Sequence, residues 1–558
     1  MKNWISVYIG HDSNLTIYDV AKDEFVVVQI ESIVGEKHVN VLKQTDVFNH
    51  RNPDFKPTLT KILNIAGYKN DFHYVDITPF NNPAGSRAGP DGTKIIPDNY
   101  KMLEKFWWTE RHSFKTVEEK YLYEPSSHHE NHAWCAYAQS NMKNAYCFTW
   151  DGGGDDTCFA EFTFVDGRIT SENYPHYNLN TPYSKICNKF QYFSETDVLD
   201  IAGKVMGMSA YSDKICDEIN YILPTICHLD DKVRWKIPED KTEWQRQCRV
   251  RNEMNYIVDN APKYDRNGFA NNASGSYTIQ KALEEFAVSY VESKLETIKD
   301  HDNNVIMSGG IALNVLVNEL LKTKFPDINF YVPSNPHDGG LSFGSLYRLL
   351  REKSIIKRND YNILYNGIEV IDQEQWKNKN YKEVKLSDVS QLLKEGNIIG
   401  FVNDRAEVGP RALGNRSILC DASYPGMKTK INLIKNREQY RPFAPACLKE
   451  HASKYFESNH FDNMEAMQYV VKVKEEYKEQ LEPIVHVDGT ARLQTVSLSD
   501  NPVFYELIKM HGGVLLNTSF NIGGKPTLNT LADAFEMLDK TTLDYVVWGK
   551  NGKFKLYQ

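Results

Sequence analysis

Ala145-Tyr146-Cys147-Phe148-Thr149-Trp150-Asp151-Gly152-Gly153-Gly154-Asp155 is an apolar, aromatic run that ends in an acidic, glycine-rich turn. Residues 157–165 repeat the strand pattern, Asp166-Gly167 makes a second turn, and a third strand is expected from Arg168. The same grammar stands at the start of the chain, with strands expected over 5–9, 15–20 and 25–30. His11-Asp12-Ser13-Asn14 and Ala21-Lys22-Asp23-Glu24 are the turns between them. Two such units in one chain predict a duplicated α/β core, in which the first hairpin of each half aims its polar turn at a shared cleft.

Further on, apolar residues at helical spacing predict a long helix over 279–299. A short buried strand over 304–307 follows, then Ser308-Gly309-Gly310, then a helical pattern over 312–321. A strand, two glycines and a helix N-terminus make a backbone amide nest suited to phosphate. The pattern recurs at once: strand 328–332, a loop ending Asp338-Gly339-Gly340, helix 341–351. Residues 351–360 are polar and basic without apolar periodicity and read as a linker. Beyond them a second α/β domain is expected. Its elements are helix 387–394, strand 398–402, a basic loop region, helix 427–434, strand 514–516, a polar loop over 517–524, helix 531–538 and strands at 545–548 and 553–557.

Composition narrows the class. With 558 residues, 41% hydrophobic and 25% charged, the chain is neither a disordered tail nor a collagen-like or disulfide-stapled scaffold. No run approaches the ~18 apolar residues of a membrane span, and the apolar start is cut at His11 and Asp12, so a cytoplasmic protein is expected. Nine cysteines with no C-x-x-C pair indicate neither a disulfide framework nor a thiolate zinc site. The net charge of −9 argues against wrapping duplex nucleic acid. The balance reverses locally: Arg405, Arg411, Arg416, Lys428, Lys430, Lys435, Arg437 and Arg441 face only Glu407, Asp421 and Glu438. These bases interleave with glycines and prolines rather than following a helix, which favours loops converging on a small phosphate or carboxylate.

Two constellations carry chemistry. His128 and His132 are four apart, so on a helix they stack one turn above each other and can share a metal. Asp151 and Asp338, each heading a glycine-rich turn, are the natural carboxylates to complete the set. Two imidazoles and two carboxylates suit Fe(II), Mn(II) or Zn(II). The anion site draws on Lys435 and Arg441 with Arg411 and Arg416 nearby, because arginine forks match phosphate oxygens. Thr490 and Arg492 add a further polar turn.

These motifs are similar to those of a known family. Gly409-Pro410-Arg411-Ala412-Leu413-Gly414-Asn415-Arg416-Ser417-Ile418-Leu419, Arg441-Pro442-Phe443-Ala444-Pro445, Asp488-Gly489-Thr490-Ala491-Arg492 and Asn517-Thr518-Ser519-Phe520-Asn521 resemble the O-carbamoyltransferases of nodulation-factor and antibiotic biosynthesis. In the first half, His128 to His132, Lys204-Val205-Met206-Gly207-Met208, Ser308-Gly309-Gly310-Ile311-Ala312-Leu313-Asn314 and Asp338-Gly339-Gly340 match in the same order. The resemblance spans nearly the whole chain. It departs at Ile522-Gly523-Gly524, where many members carry a basic residue; Lys525 is the nearest substitute.

The resemblance implies an actin-like ATPase (ASKHA) domain over 1–352, a linker over 353–385 and a YrdC-like α/β domain over 386–558. It implies that carbamoyl phosphate and ATP, with Mg(II), give carbamoyladenylate, from which an acceptor hydroxyl takes the carbamoyl group. The metal, Fe(II) before Mn(II) or Zn(II), falls to His128, His132, Asp151 and Asp338. Carbamoyl phosphate falls to Arg411, Arg416, Lys435, Arg441, Thr490, Arg492, Asn517 and Ser519, with Lys435 and Arg441 catalytic. The nucleotide falls to Lys204, Gly207, Ser308, Gly309, Gly310 and Asn314. His11, in the first cleft turn, is the candidate general base.

Family precedent favours a sugar or small-metabolite hydroxyl as acceptor, entering through residues 50–114, where Phe106, Trp107 and Trp108 offer a stacking platform. The lysine-, asparagine- and tyrosine-heavy composition suggests an AT-rich genome, so a hydroxymethylated pyrimidine such as 5-hydroxymethylcytosine, in a nucleotide or in DNA, is a second acceptor class. The expected setting is a bacterial or phage-infected cytoplasm, with a homodimer as the expected assembly and no membrane partner. Two alternatives stand beside this reading: an N-carbamoylating enzyme of the tRNA or protein-maturation type, and a non-catalytic nucleotide-binding module.

Overall fold

The computed structural model describes residues 3–8, 10–38, 63–64, 67–68, 72–78, 127–154, 157–175, 183, 186–187, 190–220 and 268–558. Helices and sheets are mixed throughout, an α/β architecture. The chain divides into two compact units, one of Ile5–Gly10 and Asp71–Tyr361, the other of Met1–Trp4, His11–Asn70 and Asn362–Gln558. Among the described residues no helix is long and apolar enough to cross a membrane. The aromatic stretch at Phe106, Trp107 and Trp108 lies outside the described residues.

In the first of these units a five-stranded sheet runs Arg168–Asn173, Thr157–Val165, Ala145–Gly154, Asn304–Ser308, Asn329–Tyr331. Ala145–Gly154 is central, antiparallel to Thr157–Val165 and parallel to Asn304–Ser308, so its end and the end of its parallel neighbour open on the same side. Helix His128–Ser140 packs against helix Leu341–Glu352 at very short range. A Cβ on Gly344 would lie 1.9 Å from the carbonyl oxygen of Asn131, so only glycine admits this approach. That contact brings the start of one helix to the start of the other.

The long helix begins at Phe269, ahead of the expected 279, and breaks at Lys294 before a short helix Leu295–Lys299. Its first turns, rich in Asn, Ser and Gly, carry no apolar period. They are buried because small residues allow contact: a Cβ on Gly275 would meet the Phe190 ring at 2.6 Å. The helix expected from 312 starts as a 3-10 turn, Gly310–Leu313, and becomes α-helical at Val315, where the Asn314 side chain accepts the Val317 N–H.

The second unit is built on an eight-stranded sheet, ordered Lys382–Val384, Lys553–Tyr557, Tyr545–Lys550, Ile399–Asn403, Arg416–Asp421, Leu515–Ser519, Ala444–Leu448, Gln494–Val496. Alternate residues feed two cores. Val402, Ile418, Leu516 and Val546 join one, and Phe401, Leu419, Leu515 and Val547 the other. The strand expected at 514–516 extends to Ser519, so Asn517 and Ser519 are strand residues rather than loop. Their main chains pair with Leu419 and Ser417 on one side, and that of Asn517 also with Ala444 on the other. Likewise Arg416–Asp421, inside the expected basic loops, is a strand. The hairpin Asn14–Asp19 with Glu24–Gln29 belongs to this unit, where Val27 donates to the Asn366 carbonyl and Asn366 Nδ2 to that of Phe25, both at 2.9 Å.

Candidate active site

His128 and His132 sit one turn apart on helix His128–Ser140, started by Ser127, whose hydroxyl accepts the Glu130 N–H. His129 points elsewhere, to the Thr149 hydroxyl at 2.7 Å. Asp151 lies on strand Ala145–Gly154 and Asp338 opens the 3-10 turn Asp338–Gly340. One ligand atom from each of these four buried residues falls within 4.8 Å of the others, the only such group among the described residues. Asp151 Oδ2 is 2.9 Å from His128 Nε2 and 3.3 Å from His132 Nε2; Asp338 Oδ1 is 3.4 Å from both. The two Nε2 atoms are 3.2 Å apart.

Four electron-rich atoms converging out of water are stable only around a positive charge. Burial alone would lower both histidines, yet the Asp338 and Asp151 carboxylates raise His128 well above its ordinary value and raise His132 as well. Burial would raise Asp151, and the two imidazoles instead hold it well below the carboxylate range. Nitrogen and oxygen donors in this number fit a divalent transition metal.

The second constellation is cationic. Lys435 follows helix Met427–Ile434, and its buried Nζ has four acceptors within hydrogen-bond reach for its three donors: Ser519 O, Ser519 Oγ at 3.2 Å, Asn521 O at 3.1 Å and Asn521 Oδ1 at 2.6 Å. Burial and the positive charges of Arg437, Arg441 and Lys37 hold this lysine well below its usual range. Burial and Arg411, Arg437 and Arg441 do the same to Arg492, and burial with Arg441 lowers Arg411 to about 10. Among the described residues neither Arg411 nor Arg492 has a hydrogen-bond acceptor for its guanidinium. Among the described residues Glu438 places a carboxylate 3.6 Å from Arg441. Like charges crowded in this way repel one another, and an anion placed among them would relieve that repulsion.

With both constellations in place, comparison with known proteins assigns the chain. Residues 5–346 match the family model described as carbamoyltransferase N-terminus, and residues 390–552 that described as carbamoyltransferase C-terminus. The chain belongs to the carbamoyltransferase family. Nodulation protein NolO of Bradyrhizobium diazoefficiens is 29% identical over 459 residues, 76% of this chain and 78% of that protein. Nodulation protein U of Azorhizobium caulinodans is 24% identical over 572 residues, 97% and 98% of the two chains. The 3'-hydroxymethylcephem-O-carbamoyltransferase of Streptomyces clavuligerus is 32% identical over 234 residues, 41% and 44% of the two.

Within this carbamoyltransferase the remaining expected site residues divide by what their polar groups already do. Arg416 is fully buried and gives its guanidinium to the carbonyls of Asn403, Asn415, Ile368 and Asp404 and to Asn529 Oδ1. Asn517 Nδ2 holds Ala412 O and Gln494 Oε1, fastening the loop that carries Arg411. Thr490 caps its own turn on Asp488. Ser519 Oγ lies on Asn521 Oδ1 at 2.6 Å as well as on Lys435. Lys525 donates to the Gly35 carbonyl, and the Gly523 N–H bonds the Lys435 carbonyl at 2.6 Å.

The glycine nest differs from its expected use. Gly309 donates its N–H to the Pro336 carbonyl at 2.8 Å, and Gly310 donates to Asp151 Oδ1 at 2.9 Å, so both amides are spent inside the protein. Ser308 Oγ also turns to Pro336 O. The Asn314 amide pairs with that of Gln280, Nδ2 to Oε1 at 2.9 Å and Nε2 to Oδ1 at 3.2 Å. Lys204 and Gly207 lie on helix Val198–Ser209, with Lys204 Nζ on Thr196 Oγ1.

His11 Nδ1 lies 3.0 Å from Asp12 Oδ2, and the ring is about a quarter exposed. His38 Nδ1 takes the other oxygen, Asp12 Oδ1, at 2.8 Å. His38 and Tyr8 carry no signal in the sequence, and Arg437 is marked there only as one of the eight bases of the basic run. Arg437 lies on the Phe443 ring and donates to the carbonyls of Arg441 and Pro442, shaping the loop that carries Arg441.

Proposed function

We propose that this carbamoyltransferase is ATP-dependent and transfers the carbamoyl group to oxygen, with an actin-like ATPase (ASKHA) domain followed by a YrdC-like domain. The observation that carries the reading is the cationic cluster, in which Arg411 and Arg492 have no acceptor among the described residues and stand beside Arg437, Arg441 and Lys435. A phosphate dianion relieves their mutual repulsion and supplies charge-assisted acceptors at once. The name of the cephem relative, an O-carbamoyltransferase, supports oxygen as the acceptor atom.

In this scheme Arg411, Arg441, Arg492 and Lys435 bind the phosphate of carbamoyl phosphate and neutralise it as it leaves. Hydrolysis yields carbamate and phosphate; a carbamate oxygen attacks the α-phosphorus of ATP and expels pyrophosphate, giving carbamoyladenylate. The acceptor hydroxyl attacks the carbamoyl carbon, AMP departs, and the hydroxyl proton passes to His11 Nε2, the ring being oriented by Asp12 at Nδ1. A divalent ion, Fe(II) first, held by His128, His132, Asp151 and Asp338, supplies Lewis acidity to a phosphoryl or carbamoyl oxygen when bound. The acceptor is a sugar or small-metabolite hydroxyl, or a hydroxymethylated pyrimidine such as 5-hydroxymethylcytosine.

The test is a single-turnover incubation with ATP, 14C-carbamoyl phosphate and Fe(II), split across sugar alcohols, hydroxymethyl-dCMP and hydroxymethylcytosine DNA. Label on an acceptor with stoichiometric AMP and pyrophosphate is the expected result and names the acceptor class. Label transfer without AMP would overturn the adenylate route.

A further inference from the structure

We infer that Tyr8 is a positioning residue for the metal cage, holding Asp338 so that one carboxylate oxygen alone is presented to the histidine pair. The inference rests on the reading of His128, His132, Asp151 and Asp338 as a metal site. Tyr8, on strand Asn3–Tyr8, is fully buried and donates its phenol O–H to Asp338 Oδ2 at 2.6 Å. The other oxygen, Oδ1, is the one that lies 3.4 Å from both histidine Nε2 atoms. Asp151 is held in the mirror-image way, Oδ1 by the Gly310 N–H and Oδ2 toward the histidines. Each carboxylate is thus split into an anchored oxygen and a presented one.

The anchoring falls to these outer oxygens for a reason. Metal-binding imidazoles are ordinarily oriented by a partner on their second nitrogen. Among the described residues, Nδ1 of His128 and Nδ1 of His132 are both buried without a hydrogen-bond partner. Orientation of the cage therefore comes through its carboxylates and through ring packing. Tyr8 supplies both, since its ring meets that of His128 edge-on, at 6.4 Å between centroids and 64° between planes. Without the phenol donor, Asp338 Oδ2 is released to ligate, and a bidentate carboxylate favours larger, harder cations such as Ca(II).

Co(II) is the probe, since its visible spectrum reports ligand geometry without any turnover. Full-length wild type, Tyr8→Phe and Tyr18→Phe are stripped of metal, and Co(II) affinity is measured by competition with a chromophoric chelator. Tyr18 is the control, because its buried ring makes a tyrosine–aspartate bond of its own, to the exposed Asp23 Oδ1 at 2.8 Å. The expected result is that Tyr8→Phe weakens Co(II) binding by about ten- to a hundredfold, alters the visible bands and narrows the preference for Co(II) over Ca(II). Tyr18→Phe should leave all three unchanged. Wild-type affinity and spectrum in Tyr8→Phe would overturn the role of Tyr8, and so would an equal loss in both variants. Wild type that binds no Co(II) would instead overturn the metal reading itself. Melting of the metal-free proteins separates a folding defect from a cage defect, because a purely structural Tyr8 lowers the melting temperature without touching the spectrum of the folded fraction.

Discussion

Gly310 spends its main-chain N–H on Asp151 Oδ1 at 2.9 Å, and in doing so turns Asp151 Oδ2 toward His128 Nε2. One glycine of the pair that resembles a phosphate nest thus supports a carboxylate of the His128, His132, Asp151 and Asp338 group, which could hold a metal. The neighbouring Gly309 makes that support possible. It adopts φ +87°, and its Cα packs so tightly on Trp150 that a Cβ would lie 2.4 Å from the Trp150 carbonyl oxygen.

Substitution at these two positions should therefore separate stability from metal binding. Gly309→Ala combines a left-handed φ with a backbone clash and is expected to cost about 2–4 kcal/mol in chemical denaturation. Gly310→Ala meets only the Asp151 carboxylate, at 2.8 Å, which can swing away. Its stability loss should stay near 1 kcal/mol while Co(II) affinity drops. Equal destabilisation by both with metal binding intact would refute this division.

Arg416 carries a second prediction. Five hydrogen bonds, four of them to main-chain carbonyls, surround a guanidinium with no exposure. Lysine has three donors and no planar fork, so Arg416→Lys leaves buried carbonyls unmatched and should destabilise by about 3–5 kcal/mol. At a temperature where the variant is still folded, phosphate affinity should remain within about threefold of wild type, which is under 1 kcal/mol. A stable variant that no longer binds phosphate would return Arg416 to the ligand.

What the sequence made legible follows a physical line. Hairpins, helix spacing and the pairing of His128 with His132 are local patterns, and the structure repeats them. Where a polar group spends its hydrogen bonds is not local. Asn517 and Ser519 look like loop residues because their polarity is visible and their strand partners, Leu419 and Ser417, are distant in sequence. Arg411 and Arg416 sit five positions apart in one glycine-rich motif, yet among the described residues one has no acceptor and the other is saturated by main chain. Tyr8 is 330 positions from the aspartate it holds, and no periodicity could connect the two.

Lys435 predicts a pH dependence. Burial and three neighbouring cations depress its folded value well below the ordinary 10.5, so the unfolded chain holds the proton more tightly than the native one. Stability from this group is lowest below the depressed value and rises as pH climbs through it toward 10.5. A bound phosphate dianion restores the charge, so phosphate binding above the depressed value should take up a proton. Isothermal titration at a series of pH values up to 10.5, each in two buffers of different ionisation enthalpy, reads the uptake directly. Lys435→Met should abolish it, and a buffer-independent enthalpy in wild type would contradict the assigned shift.

Arg492 gives the sharpest contrast between function and stability. Its guanidinium is partly buried, faces Arg411, Arg437 and Arg441, and has no acceptor among the described residues. Replacing it with leucine removes a partly buried charge from a crowded cationic cluster, so Arg492→Leu should raise the stability of the protein without phosphate by up to about 1 kcal/mol. The same change removes a charge-assisted contact to phosphate worth about 1.5–3 kcal/mol, a ten- to hundredfold loss of affinity. Wild type should then melt higher with added phosphate, while Arg492→Leu starts higher and responds only at ten- to hundredfold higher phosphate. If the variant is instead less stable than wild type without ligand, the guanidinium has a partner in the folded chain and the cluster is structural rather than an anion receptor.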